Sequence, residues 1–301
     1  MFILCVTVMH LKGIEKLREK LPDYPGNRIG FILLKGFFGM ILGYSIMIFL
    51  DIVARILPDI AFLGSIEPYL PFVGSAIVGG VGILLIRRIW DLRDERKREY
   101  GDLAYQKMIP IGVSGVFLVP AVIFHAFTSI RSLPPGPPIN DLTSLWSQSL
   151  LAIVGIPTEI DVILRLAISS ILILIGILLV RSAILTFGID YMTVVYLYFP
   201  EESKIQQSEI YSVIRHPAYL AVVLFGMAAL FFRLSVYSIG FCVIIYALLR
   251  LHIRREEREL IERFGDGYSD YMRRVPALYV RPKNYGKFFR FLRGSDLAEV
   301  S

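Results

Sequence analysis

The chain has 301 residues, 55% of them hydrophobic and only 19% charged, with a formal net charge of +6. A mean hydropathy of +0.61 leaves too little polar surface for a water-soluble domain, so an all-α, polytopic membrane helix bundle is expected, with no nucleic-acid partner. The two cysteines, Cys5 and Cys242, lie far apart in apolar runs, which excludes a disulfide framework and a cysteine metal site.

In chain order, the opening "MFILCVTVMHLKG" has too short an apolar run and no basic leader, so no cleaved signal is expected. It reads as a surface segment followed by the amphipathic "GIEKLREKL". Membrane helices need about 20 apolar residues, and six spans are predicted. They run over about Ile29–Leu50, Ile60–Ile86, Ile109–Ile130, Val162–Phe187, Ala218–Phe232 and Leu234–Leu251, the last two short and joined around Arg233. Asp51, Arg55 and Asp59 are placed beyond the first span. His125, in "VIFHAF", reads as a hydrogen-bonded core residue, since no second metal-type residue accompanies it. The mixed-sign segment Arg87–Lys107 reads as a solvated surface helix. "RSLPPGPPIND" is a loop, and "LTSLWSQSLLAIVGI" an interfacial or re-entrant helix. The chain divides into an N-terminal membrane region, 1–160, and a core with its tail, 161–301.

Five Lys/Arg lie before the first span, seven in Arg87–Lys107 and twelve from Arg250 onward. The opposite loops carry almost none. The positive-inside rule puts both termini in the cytoplasm, on the same face as the "RHP" of Arg215–Pro217.

The tail "LRLHIRREERELIERFGDGYSDYMRRVP" is the most informative stretch. Leu249, Ile253, Leu260, Ile261 and Phe264 share one helical face. Glu256 and Glu257 fall inside that face, where carboxylates need partners. They either pair with basic groups of the bundle or bind a polar or cationic ligand; a surface ladder of Arg/Glu pairs is the alternative. Gly265 and Gly267 end the helix. Tyr268 and Tyr271 lie one turn apart, followed by Arg273 and Arg274. These rings and bases line a pocket or anchor the helix at the interface. Upstream, "IRHPAYL" puts Arg215 and His216 at a helix mouth with Pro217 in the first turn.

"RHPAY", a short helical hairpin and then "EERELIERFGDGYSDYMRRVP" together resemble the isoprenylcysteine carboxyl methyltransferases and their phospholipid methyltransferase relatives, over about Leu185–Pro282. The resemblance implies a membrane enzyme that uses S-adenosylmethionine, bound at the cytoplasmic face, and a lipid or lipid-modified acceptor. It carries over to Tyr211, Arg215, His216, Pro217, Tyr219, Glu256, Glu257 and Tyr271 as cofactor-binding positions. The family's glycine two places after the "RHP" tyrosine is Ala221 here, and its Gly-x-Tyr is Glu209-Ile210-Tyr211.

On physical grounds, His216 and Arg215 at a helix start suit a carboxylate, Glu256 or Glu257 an amine or ribose, and Tyr219 an adenine. Methyl transfer is an in-line displacement that depends on alignment and desolvation. For a carboxylate acceptor, Arg254 or Arg274 would orient it; an amine acceptor would need a nearby base. The alternatives are a nicotinamide-dependent sterol-reductase-like enzyme, against which the Glu pair speaks, and a non-catalytic lipid-binding or transport protein, for which matched broken helices are lacking.

Overall fold

The computed structural model describes residues 12–24, 29–129 and 140–294. The expected surface segment before Lys12 and the proline cluster within 131–139 lie outside the described residues. In chain order the helices are α1 (Ile14–Glu19), α2 (Ile29–Ile56), α3 (Ala61–Ile66), α4 (Leu70–Asp91), α5 (Arg93–Tyr100), α6 (Ala104–Thr128), α7 (Asp141–Ser147), α8 (Leu150–Ile153), α9 (Thr158–Phe187), α10 (Ile189–Met192), α11 (Val195–Tyr198), α12 (Pro217–Arg233), α13 (Val236–Phe264), α14 (Asp266–Arg274) and α15 (Tyr285–Arg293). No strand occurs among the described residues.

Five segments are long and apolar enough to cross a membrane: Gly30–Ile56, Ala61–Asp91, Arg93–Thr128, Thr158–Phe187 and Val236–Phe264. The sixth expected span is α12, apolar but only 17 residues long, about 25 Å at 1.5 Å per residue. Their lipid-exposed sides are apolar; Phe31, Phe38, Ile163 and Val243 are each about 60% exposed or more. The chain is an integral membrane protein.

Helices α2, α4 and α6 pack into one group, α9 pairs with α12, and α13 joins the two by contacting α4, α6 and α12. Backbones touch where α4 crosses α6. A Cβ on Gly115 would sit 2.6 Å from the Gly82 carbonyl oxygen, so only glycine permits this small-residue crossing.

Helix α2 runs further than its apolar run suggests, and it includes Asp51 and Arg55. The reason is partnership. Asp51 is buried and accepts from Ser129 Oγ at 2.6 Å, with His125 Nε2 at 3.0 Å. His125 Nδ1 meets Ser75 Oγ at 2.8 Å. His125 therefore has the acidic companion that the sequence did not reveal, in a buried hydrogen-bonded cluster. Among the described residues no group of three or more metal-type side chains gathers. At the same end, α7 and α8 are too short to span. Asn140 caps α7 through the Leu142 N–H, Thr143 donates to the buried Glu67, and Trp146 packs edge-on against Tyr237.

Leu234, at φ 45, makes the turn between α12 and α13, and a Ser235–Ser238 capping box starts α13. Helix α13 then runs unbroken for 29 residues to Gly265, whose φ of 56 stops it. Gly267 falls inside the next helix instead of ending this one. Buried Glu259 takes Arg93 of α5, with Arg263 at 3.0 Å and Arg255 at 3.9 Å. The single solvated helix expected over Arg87–Lys107 is not what forms: Arg87–Asp91 end α4, α5 alone is a surface helix with no buried residue and it is tied to α13, and Ala104–Lys107 begin α6, with Trp90, Ala104, Tyr105 and Gln106 buried.

Candidate active site

The site forms where α13 leaves the apolar bundle. Helical period puts Glu256, Leu260 and Phe264 on one side of α13, facing the start of α12, the two tyrosines of α14 and the connector after α9. Between them is a cleft that opens to solvent.

The "RHP" stretch is stitched to the tail by backbone. Arg215 N–H donates to Pro276 O at 2.9 Å and His216 N–H to Ala277 O at 3.2 Å. Arg215 Nη1 donates to Met272 O at 2.9 Å and to Val275 O, satisfying carbonyls at the C-terminal end of α14 that would otherwise be orphaned. Its Nη2 and Nε donate to Glu257 Oε1 at 2.6 and 3.2 Å. Tyr271 Oη donates to Tyr211 O at 2.7 Å. Arg215 is therefore a staple between three elements, with its donors already engaged.

His216 Nε2 lies 3.1 Å from the same Glu257 oxygen, which requires the proton on Nε2. Nδ1 then faces Glu256 Oε2 at 3.9 Å. Glu256 differs from its neighbour. Its Oε1 accepts a long bond of 3.4 Å from Tyr196 Oη, while Oε2 is buried with no hydrogen-bond partner among the described residues. A buried carboxylate oxygen left unpaired costs about 1–3 kcal/mol or more, so this atom awaits a donor. Tyr219 stacks on His216, ring centroids 5.4 Å apart, and its hydroxyl meets His252 Nε2 at 3.1 Å.

Burial raises the phenols of Tyr196, Tyr211 and Tyr268 above their ordinary value of 10.0, and the nearby Glu256 charge adds to the rise. Tyr271 is also raised by burial, with Arg215 and Arg274 pulling it back. All four stay protonated at neutral pH. They furnish rings and donors, not bases.

Of the residues singled out in the sequence, Tyr211, Arg215, His216, Pro217, Tyr219, Glu256 and Tyr271 line this cleft. Glu257 stands directly behind Arg215 and His216. Arg254 and Arg274 do not line it. Arg254 lies two residues before Glu256, about 200° around the helix, and is exposed. Arg274 is exposed too and donates to Gln207 Oε1 at 3.0 Å. Ser203, Lys204, Ile205, Gln206, Tyr196 and Tyr268 also line the cleft. For Tyr268 the spacing left a pocket ring and an interfacial anchor both open, and the structure puts it in the cleft. The connector residues were not legible, because no periodic pattern fixes where a loop folds back; the aromatic "VVYLYF" amid it was the one available signal.

Residues 164–267 match the family model for phospholipid methyltransferase. Over these residues the chain is similar to the phospholipid methyltransferases. The family segment holds His216, Glu256 and Glu257, but not the Val275–Ala277 strip that Arg215 and His216 bind, nor α2, α4 and α6. The chain is also similar to protein-S-isoprenylcysteine O-methyltransferase B of Arabidopsis thaliana, 26% identical over 107 residues. That match covers 35% of this chain and 54% of the relative, so it spans about half the relative's length. No solved structure matches.

Proposed function

We propose that this chain binds S-adenosylmethionine in the cleft and transfers its methyl group to a lipid or isoprenylcysteine-type acceptor at the cytoplasmic face of the membrane. The match of residues 164–267 to the phospholipid methyltransferase model supports the reaction class, and the Arabidopsis relative's name supports the acceptor class. The observation that carries the cofactor reading is Glu256 Oε2, buried without a partner at a wall of otherwise neutral rings. The basic residues flanking the cleft support the cytoplasmic side.

The residues fit the cofactor group by group. Glu256 accepts hydrogen bonds from the amine or the ribose hydroxyls. The faces of Tyr196, Tyr219 and Tyr268 suit a cation and a flat base. Lys204, exposed at the cleft, meets the carboxylate, a task Arg215 cannot perform while its donors hold Glu257 and the α14 carbonyls. When bound, the cofactor supplies a methyl group on an electron-poor sulfonium. The chain's part is to align that group, exclude water and hold the Glu257–Arg215–His216 wall rigid.

The test is a thermal-shift titration of the detergent-purified protein. S-adenosylmethionine is expected to raise the unfolding midpoint of the wild type and to lose that effect in Glu256→Gln. A shift with NADPH and none with S-adenosylmethionine would overturn the reading in favour of a reductase. Incubation with methyl-labelled cofactor and native lipid extract then identifies the acceptor.

A further inference from the structure

At the end of α9 lies a basic and aromatic face that belongs neither to the cleft nor to the bundle core. Between Asp270 and Asp296 the sequence has seven Lys/Arg and no acid. The last part of that stretch folds as α15, packed against α9. At about 100° per residue the helix divides into three sectors. Phe288 and Leu292 are buried with Ile210, Tyr211 and Ile214, which fixes α15 to the bundle. Lys287, Arg290 and Arg293 recur every third residue on the opposite side, and all three are exposed. Tyr285 and Phe289 occupy the flank between the two, 52% and 48% exposed. Lys287 and Arg293 make no ion pair among the described residues.

The depth of this face gives it meaning. Leu174 and Ile177 of α9 are exposed and belong to the apolar surface of a membrane span. One turn later the exposed residue is Arg181. Arg181, Ser182 and Leu185 then meet Phe291, Leu292 and Gly294 along a seam. Helix α15 thus crosses α9 just past the apolar surface, at the depth of lipid headgroups. An aromatic flank beside a basic face is what a helix lying in that plane presents, with rings at the acyl boundary and cations among the phosphates. Glu209, the acid at the seam, is engaged by the Thr186 hydroxyl and does not pair with Lys287 or Arg293. The basic residues of α5 differ, because Asp94, Glu95 and Glu99 alternate with them.

We propose that α15, together with Arg181, is a docking surface for anionic phospholipids of the leaflet that borders the cleft. Charge complementarity selects the occupant: an acid-free set of cations at headgroup depth attracts phosphate-bearing lipids over zwitterionic ones. The exposed rings of Tyr285 and Phe289 seat the helix in the same plane. The surface stands outside the cleft, so lipid bound there is neither cofactor nor methyl acceptor.

The test places the full-length protein in vesicles of equimolar dioleoyl phosphatidylcholine and dioleoyl phosphatidylglycerol, with a trace of one or the other lipid spin-labelled. The motionally restricted fraction of each label gives their relative affinity for the protein surface. The wild type is expected to favour phosphatidylglycerol by about fivefold or more, the effect of one base beside an anionic surface. The double variant Lys287→Gln, Arg293→Gln is expected to lose most of that preference. So is the wild type in about 1 M salt, where the Debye length is only about 3 Å. Lys97→Gln with Arg98→Gln, on α5, is expected to keep it. Lys287→Gln alone, at an exposed side chain, should remove part of the preference and takes the place of the double variant if that unfolds. Equal association of both labels with the wild type overturns the docking surface. So does an undiminished preference in the α15 variants, or an equal loss in the α5 variant. Protection of the α15 amides from hydrogen exchange by polyglutamate, with no preference for phosphatidylglycerol, assigns the face to an acidic protein and overturns the lipid.

Discussion

Glu256 and Glu257 are neighbours in sequence with opposite situations. Glu257 is fully engaged by Arg215 and His216; Glu256 keeps one buried oxygen unmet. Glu256→Gln should therefore leave the unfolding midpoint nearly unchanged and weaken S-adenosylmethionine binding about tenfold or more, the value of a charge-assisted hydrogen bond. Glu257→Gln should lower both, because it frees a buried arginine; thermal unfolding beside titration calorimetry separates the two cases. The acids were legible because a carboxylate on an apolar helical face breaks the period. Which of the two would be satisfied by protein was not, since that depends on where Arg215 arrives from 42 residues' distance in chain. The buried tyrosines give a pH prediction. Their folded pKa values lie above the ordinary 10.0, so their contribution to folding is intact below that value. As pH rises above it the unfolded chain releases protons that the folded one retains, and stability falls. The unfolding midpoint should begin to drop as pH nears about 10 and keep dropping above it, and Tyr196→Phe should lessen the drop.

Among the elements, the turn before "RHP" holds a side chain in a backbone conformation that favours glycine: Glu209 adopts φ 48 and accepts from Thr186 Oγ1 at 2.7 Å. The left-handed backbone is kept at a cost of about 1–2 kcal/mol, and the hydrogen bond offsets part of it. Glu209→Gly should thus change stability by no more than about 1 kcal/mol, whereas Glu209→Val, β-branched and without the bond, should cost about 2 kcal/mol or more by chemical denaturation. Helix α14 depends on Arg215 for its terminal carbonyls, so Arg215→Ala should loosen α14 and the cleft together. Hydrogen exchange of Tyr268–Val275 should accelerate alongside the loss of cofactor binding. The motif order predicted that "RHP" and "RRVP" belong together. The backbone pairing that joins them is invisible in composition because main-chain atoms carry no residue signature.

Across the whole molecule, five of the six expected spans followed directly from apolar runs, and the sixth, α12, proved as short as its sequence. The polar groups inside the bundle did not follow. Asp51 looked like the end of a span because its partners, His125 and Ser129, come from a helix more than 70 residues later. The same holds for Glu259, which reads as one more charge in "RREERELIER" yet is buried among arginines of α5 and α13. Glu259→Ala should lower stability by about 3 kcal/mol, the cost of stranding buried cations, visible as a lower unfolding midpoint. This bridge also limits what can be recombined. Residues 164–267 are the segment that matches the family model, and their buried Glu259 finds Arg93 outside that segment. A chimaera built by grafting foreign leading helices onto this segment would need to bring a cation to that position, or the junction would come apart at a single side chain.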